Sequence, residues 1–152
     1  MGSFVFWQRW LVAACFVFAA VGVLVALAND SFLFARWNAG VDATFAENAT
    51  LGPEAAALKA FLLGPLGGTI LGSYVLCGAI AAGPFARREP WAWWAITASL
   101  LAWFLLDSAV SIRHGAWFNV LQINALTLVG QGLPLVATAK VFLAPRERSA
   151  SA

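Results

Sequence analysis

Phe61–Gly83, FLLGPLGGTILGSYVLCGAIAAG, is the stretch whose reading decides the fold. It is apolar and uncharged over a length that crosses about 30 Å of hydrocarbon at about 1.5 Å per residue. Its small residues recur at every fourth position, so Gly64, Gly68 and Gly72 stack on one helical face. Helices in lipid gain little from burying apolar surface against one another, and a glycine stripe lets a neighbouring backbone approach closely enough for dispersion contacts. The segment reads as the central packing helix of a membrane bundle.

Upstream, Gly52-Pro53-Glu54 is a helix start, with proline tolerated in the first turn and an acid favoured at the positive end of the dipole. The span it opens covers about 56–82. Pro65 removes a backbone donor and disfavours helical geometry at Gly64, which predicts a kink relieved by neighbouring helices or by the Thr69 and Ser73 hydroxyls. Residues 29–53, NDSFLFARWNAGVDATFAENATLGP, form the longest loop. Its first half, with Phe32, Leu33, Phe34 and Trp37 beside Arg36, suits a short amphipathic segment at the membrane interface, as a lid over a lateral opening or simply as an anchor. Asn48-Ala49-Thr50 is a glycosylation triplet with meaning only in a eukaryotic secretory route. Before the loop, LVAACFVFAAVGVLVALA at 11–28 is uncharged and makes a first span over about 8–28, flanked by Trp7 and Trp10 at headgroup level. Ala26-Leu27-Ala28 and Val12-Ala13-Ala14-Cys15 resemble processing sites, but Arg9 lies too close to Cys15 to leave a proper apolar region, and the segment is read as a retained helix.

Downstream, the turn Gly83–Pro90 is bounded by two prolines and carries Arg87 and Arg88, so it lies outside the hydrocarbon. Trp91, Trp93 and Trp94 form an aromatic belt where a third span, about 91–112, enters the membrane. Arg113-His114-Gly115 makes a tight turn, a fourth span covers about 117–143, and 144–152 is a polar tail.

Composition agrees with this reading. With 152 residues, 62% hydrophobic and 11% charged, the chain has too much apolar surface for a soluble domain of its size. A net charge of +2 arises from few groups and gives no basis for nucleic-acid binding. Cys15 and Cys77 lie in apolar runs without CxxC spacing and read as reduced small hydrophobes. Arg9, Arg87, Arg88, Lys140, Arg146 and Arg148 fall on one side of the spans. Arg36, Lys59 and Arg113 fall on the other, diluted by Asp30, Asp42, Glu47 and Glu54. The asymmetry predicts cytoplasmic termini and an outer 29–53 loop. The expected fold is an all-α, four-transmembrane-helix bundle running up-down-up-down as a single domain.

Chemistry is confined to the few polar residues within the spans. Asp107 is the sole acid inside a span, and a carboxylate at the bilayer centre costs about 2.5–3.5 kcal/mol. Ser111 and His114 share its helical face at spacings of four and seven. The trio invites a hydrolase reading, but helix spacing supplies neither a base in reach of the serine nor an oxyanion hole, so no catalytic set is assigned. Pairing of Asp107 with Arg113, His114 or the polar start of the fourth span is the structural alternative. On that span Asn124, Thr127, Gln131 and Thr138 fall in a narrow arc, while Asn119 and Gln122 sit on a different face. These amides either bond across helices or line a pocket between the third and fourth spans, with Trp103, Asp107, Asn124 and Gln131 as polar anchors around an apolar ligand. His114 joins them as a ligand-binding candidate. It is the lone histidine, which argues against membrane haem and metal catalysis, and no phosphate-binding or dinucleotide fingerprint is present, so no cofactor or metal is assigned.

The glycine-rich GPLGGTILG at 64–72, the basic turn FARREPWAWW at 85–94 and WFLLDSAVSIRHG at 103–115 before a fourth span together resemble the small bacterial DoxX-like four-helix membrane proteins, over roughly 56–140. The resemblance implies a multi-pass bundle of the bacterial inner membrane, in a family some of whose members are linked to redox-enzyme partners. It carries no site residues, and the long acidic, aromatic outer loop departs from it. Two functions follow as expectations. One is a non-enzymatic accessory or assembly subunit, in which the Gly64, Gly68 and Gly72 face contacts another helix of its own bundle or of a partner in a homo-oligomer or larger membrane complex. The other is a binder or carrier of a lipid-like hydrophobic small molecule near Asp107.

Overall fold

The computed structural model describes residues 2–47 and 50–144. Asn48 and Ala49 of the glycosylation triplet, and the tail from Pro145 with Arg146 and Arg148, lie outside the described residues. The described chain is all-helical: α1 (Gly2–Leu27), a 3-10 turn (Phe32–Phe34), α2 (Ala35–Phe45), α3 (Pro53–Ala82), α4 (Pro90–Arg113) and α5 (Trp117–Leu143). Four of these, α1, α3, α4 and α5, are long and apolar enough to cross a membrane. Their outward faces carry bare hydrophobes such as Phe16, Val75, Leu106 and Val136, the inverse of a water-soluble surface.

The helix starts and stops follow local chemistry. Pro53 and Pro90 occupy first-turn positions of α3 and α4, with Glu54 in the first turn of α3. Gly115 takes φ 74 in the turn between α4 and α5, a conformation that side chains with a Cβ rarely adopt. α3 runs continuously through Pro65, and the Thr69 hydroxyl donates to the Pro65 carbonyl at 3.0 Å. The outer loop departs most from the sequence reading: its amphipathic segment extends through Phe45 as the eleven-residue helix α2.

α1 and α3 pack along their length in opposite chain directions. Phe4 stacks on Phe85 with ring centroids 5.9 Å apart, Gln8 Nε2 donates to the Ala81 carbonyl at 3.1 Å, Phe18 stacks on Tyr74 at 5.0 Å, and Gly22 meets Gly67 and Leu71. The closest approach is at those glycines. A methyl placed on Gly22 would lie 2.7 Å from the Leu71 backbone nitrogen, and one on Gly67 would lie 2.8 Å from the Ala26 Cβ. Gly64, Gly68 and Gly72 behave oppositely, since a methyl on any of them would have no neighbour within 4 Å. Of the two contacts expected for this stripe, with a helix of its own bundle or of a partner, the first is not made: backbone contact within the bundle is carried by Gly22 and Gly67, and the stripe faces outward.

α5 packs on α1 and α4. It is not a uniform α-helix, because Val120–Asn124 and Leu128–Gly132 are π-helical. The second widening precedes Pro134, whose ring crowds the carbonyl four residues back and whose missing N–H leaves that carbonyl, Gly130, open to another donor. Trp10 Nε1 donates to it at 3.1 Å. At this end of the molecule Phe4, Leu11, Cys15, Phe85, Trp93, Ile96, Leu135 and Phe142 form the buried core, with Trp93 Nε1 donating to the Leu135 carbonyl at 2.9 Å. The Arg88 guanidinium sits 4.8 Å above the Phe4 ring. In the same turn Arg87 Nε donates to Glu89 Oε1, and Trp91 Nε1 donates to Glu89 Oε2, each at 2.7 Å. The arginine bond, then the indole bond, holds the Glu89 carboxyl below its ordinary range.

Candidate functional site

Away from that core the helices separate around a cavity of about 540 Å³. Every membrane-length helix contributes to its wall, and the Phe34–Trp37 segment covers its far end. Along α3 it is lined by Leu66, Thr69, Ser73 and Leu76, and along α4 by Ala95, Ser99 and Trp103, residues that are also exposed. The cavity thus opens sideways between α3 and α4. Its volume lies within the range of small-molecule sites, and its walls are mostly apolar.

The polar end is built on Asp107. One carboxylate oxygen, Oδ1, accepts from Asn119 Nδ2 at 2.8 Å, Asn124 Nδ2 at 2.8 Å and Ser111 Oγ at 3.3 Å. Asn119 Nδ2 also reaches Ser111 Oγ at 3.0 Å, and Asn124 Nδ2 reaches Ser108 Oγ at 2.9 Å. Hydrogen bonds to a charged acceptor contribute about 1.5–3 kcal/mol each, so three of them offset a membrane insertion cost of similar size. Among the described residues none donates to the second oxygen, Oδ2, and the two ion pairs, Lys59 with Asp30 and Arg87 with Glu89, leave Asp107 without a cation. Asp107 itself lines the cavity. The polar start of the fourth span is therefore its partner, rather than Arg113 or His114.

The helix α2 is tied to this cluster. Trp37 Nε1 donates to Asn119 Oδ1 at 3.1 Å, and the Trp37 ring meets Phe118 edge-on at 5.9 Å. Asn38 Nδ2 donates to the Asn29 carbonyl at 2.8 Å, and Lys59 Nζ holds Asn38 Oδ1 at 3.0 Å and Asp30 at 3.3 Å. Asp42 Oδ1 accepts from the Leu51 backbone at 3.3 Å. These bonds seat α2 across the Asp107 end of the bundle.

The candidate residues divide clearly. Trp103, Asp107 and Gln131 line the cavity. Asn124 is fully buried behind Asp107 and orients it without reaching the lining. His114 is exposed at the end of α4 and does not join them, because the turn at Gly115 carries it past the bundle. Two contributors escaped the sequence reading. Asn119 was assigned to another face than Asn124, since five residues at about 100° each leave them about 140° apart on an α-helix. The π-helical Val120–Asn124 segment changes that phase and brings both amides to one oxygen. Asn29, eight per cent exposed, caps α1 through Nδ2 to the Val25 carbonyl at 3.1 Å and lines the cavity with no partner for its Oδ1. Its position at a helix end gave no sign of this.

Ser111 donates to Asp107, and His114 takes no part in the contact, so the three residues do not form a histidine-based set. Among the described residues no three histidine, cysteine or acidic side chains gather to hold a metal ion. What the site can do is hold an apolar body along its walls and a polar group at Asp107. No family model, curated protein or solved structure matches the chain.

Proposed function

We propose that the protein is a multi-pass protein of the bacterial inner membrane that binds a lipid-like small molecule, its polar end at Asp107 and its apolar part along the cavity. In this reading the spans run up-down-up-down, with both termini cytoplasmic and α2 on the outer side, as the lysine and arginine distribution favours. The observation that carries the proposal is a cavity of about 540 Å³ with a side opening between α3 and α4 and one carboxylate oxygen left without a donor. Lipid-soluble molecules reach such a site from the bilayer itself. Native mass spectrometry of protein gently extracted from its own membrane tests this. A stoichiometric small-molecule adduct, lost when Ser99→Trp blocks the opening, is the expected result; bare protein in both cases overturns it.

A second reading, an accessory or assembly subunit, is supported by the vacant face at Gly64, Gly68 and Gly72. It predicts that Gly68→Leu dissociates an oligomer or partner complex while the isolated chain still folds. Kinship with the DoxX-like proteins belongs to the proposal and rests on the glycine-rich segment, the basic turn and the WFLLDSAVSIRHG stretch.

A further inference from the structure

We infer that the molecule the cavity takes is a lipophilic cation, an N–H-bearing ammonium on an apolar body, with the ammonium at the Asp107 end. The inference deepens the small-molecule reading above and rests on it.

Most nearby donors are engaged: the Trp37 indole on Asn119, the Asn119 and Asn124 amides on Asp107 and the serines, and Lys59 on Asp30 and Asn38, while the Trp103 indole in the cavity wall makes no bond among the described residues. Among the described residues three acceptors at that end are idle: Asn124 Oδ1, fully buried behind the lining, and two on residues of the cavity wall. Asp107 Oδ2 receives no bond among the described residues, and neither does Asn29 Oδ1, on a side chain more than nine-tenths buried in the cavity wall. A buried acceptor such as Asn29 Oδ1 left bare is costly, and the Asp107 carboxylate faces the cavity beside it, so the site is complementary to a group that brings donors. An anionic head group would meet the like charge of the carboxylate. A hydroxyl brings one donor and no charge, leaving the carboxylate without a counter-ion. An ammonium brings several donors and the missing positive charge, and the Trp37 and Trp103 rings that line the same cavity are favourable neighbours for a cation.

The test uses the full chain in phosphatidylcholine nanodiscs at neutral pH, with decylamine, decanol and decanoate as probes and empty nanodiscs as the partition control. Asp107→Asn is the informative variant, because it keeps an acceptor at Oδ1 and replaces Oδ2 by an amide. Saturable decylamine binding at least about tenfold tighter than decanol, with that preference lost in Asp107→Asn, is the expected result. The wild-type comparison stands even if the variant does not fold, and Asn29→Ala, expected to weaken decylamine by about threefold, provides a second variant. Equal binding of decylamine and decanol, or a preference for decanoate, overturns the cation while leaving the cavity as a binding site. Absence of saturable binding by all three probes, unchanged in Ser99→Trp, overturns the cation together with the small-molecule reading beneath it.

Discussion

The two ends of the bundle solve opposite problems with the same kinds of residue. At the Phe85 end, aromatic side chains from α1, the turn and α5 interlock, with Phe85 and Phe142 ring centroids 4.7 Å apart and Phe85 wholly buried. At the Asp107 end, Trp37 and Trp103 line a void instead of filling it. Tight packing at one end holds the helices in register, so the other end can remain open without the fold collapsing into it. The closest backbone contact, at Gly22 and Gly67, runs beside the cavity, so α1 and α3 also brace the open end.

Substitutions at the α1–α3 contact, in the aromatic core and at the cavity mouth test this difference. The largest effect is expected at Gly67→Leu, whose side chain would enter the α1 backbone; no folded protein should survive extraction, whereas Gly68→Leu, one position on, should give a monodisperse monomer with unchanged circular dichroism. Phe85→Ala should lose about 3–5 kcal/mol in a reversible unfolding assay, while Ser99→Leu at the cavity mouth should stay within about 0.5 kcal/mol. Equal losses at the two sites would abolish the distinction. Asn119→Leu should cost about 1–3 kcal/mol by leaving the Trp37 N–H unpaired, with increased hydrogen exchange in α2 rather than at the Phe85 end. The smallest effect concerns pH. The Glu89 carboxyl is held below its ordinary value of 4.5, so its bonds to Arg87 and Trp91 stabilise the turn above that value and are lost as the pH falls beneath it. Trp91 emission in Glu89→Gln should lack the corresponding acid transition.

The four membrane-length helices were legible because their signal is composition and length, which need no knowledge of neighbours. The spans expected to end near 82 and 143 have helix ends at Ala82 and Leu143, and Pro53 marked a start for a reason internal to the backbone, whereas Pro90, read as the close of a turn, opens α4. Which face meets which was not legible. The pattern of Gly64, Gly68 and Gly72 is more regular than the pair Gly22 and Gly67, yet the pair makes the contact, because close approach needs small residues at matching heights on two helices. α1 begins at Gly2 rather than near residue 8 because Phe4 has a place in the core. Asp107 and Gln131 were visible as polar exceptions in apolar runs. Asn119 was misplaced because α5 widens, and neither the turn count nor the composition announces a π segment.

Asn119 carries one further consequence, for the direction in which charge is felt. Its amide lies between an indole, which can only donate, and a carboxylate, which when ionised can only accept, so one orientation alone satisfies both. The bond dipoles from α2 through Asn119 therefore align head to tail, each presenting its positive end toward Asp107, and aligned bonds polarise one another. The helix α2 is wired in series with the carboxylate. Whatever neutralises Asp107 weakens the pull on the whole row, and Trp37, some seventy residues away in sequence, is where the slack would register first.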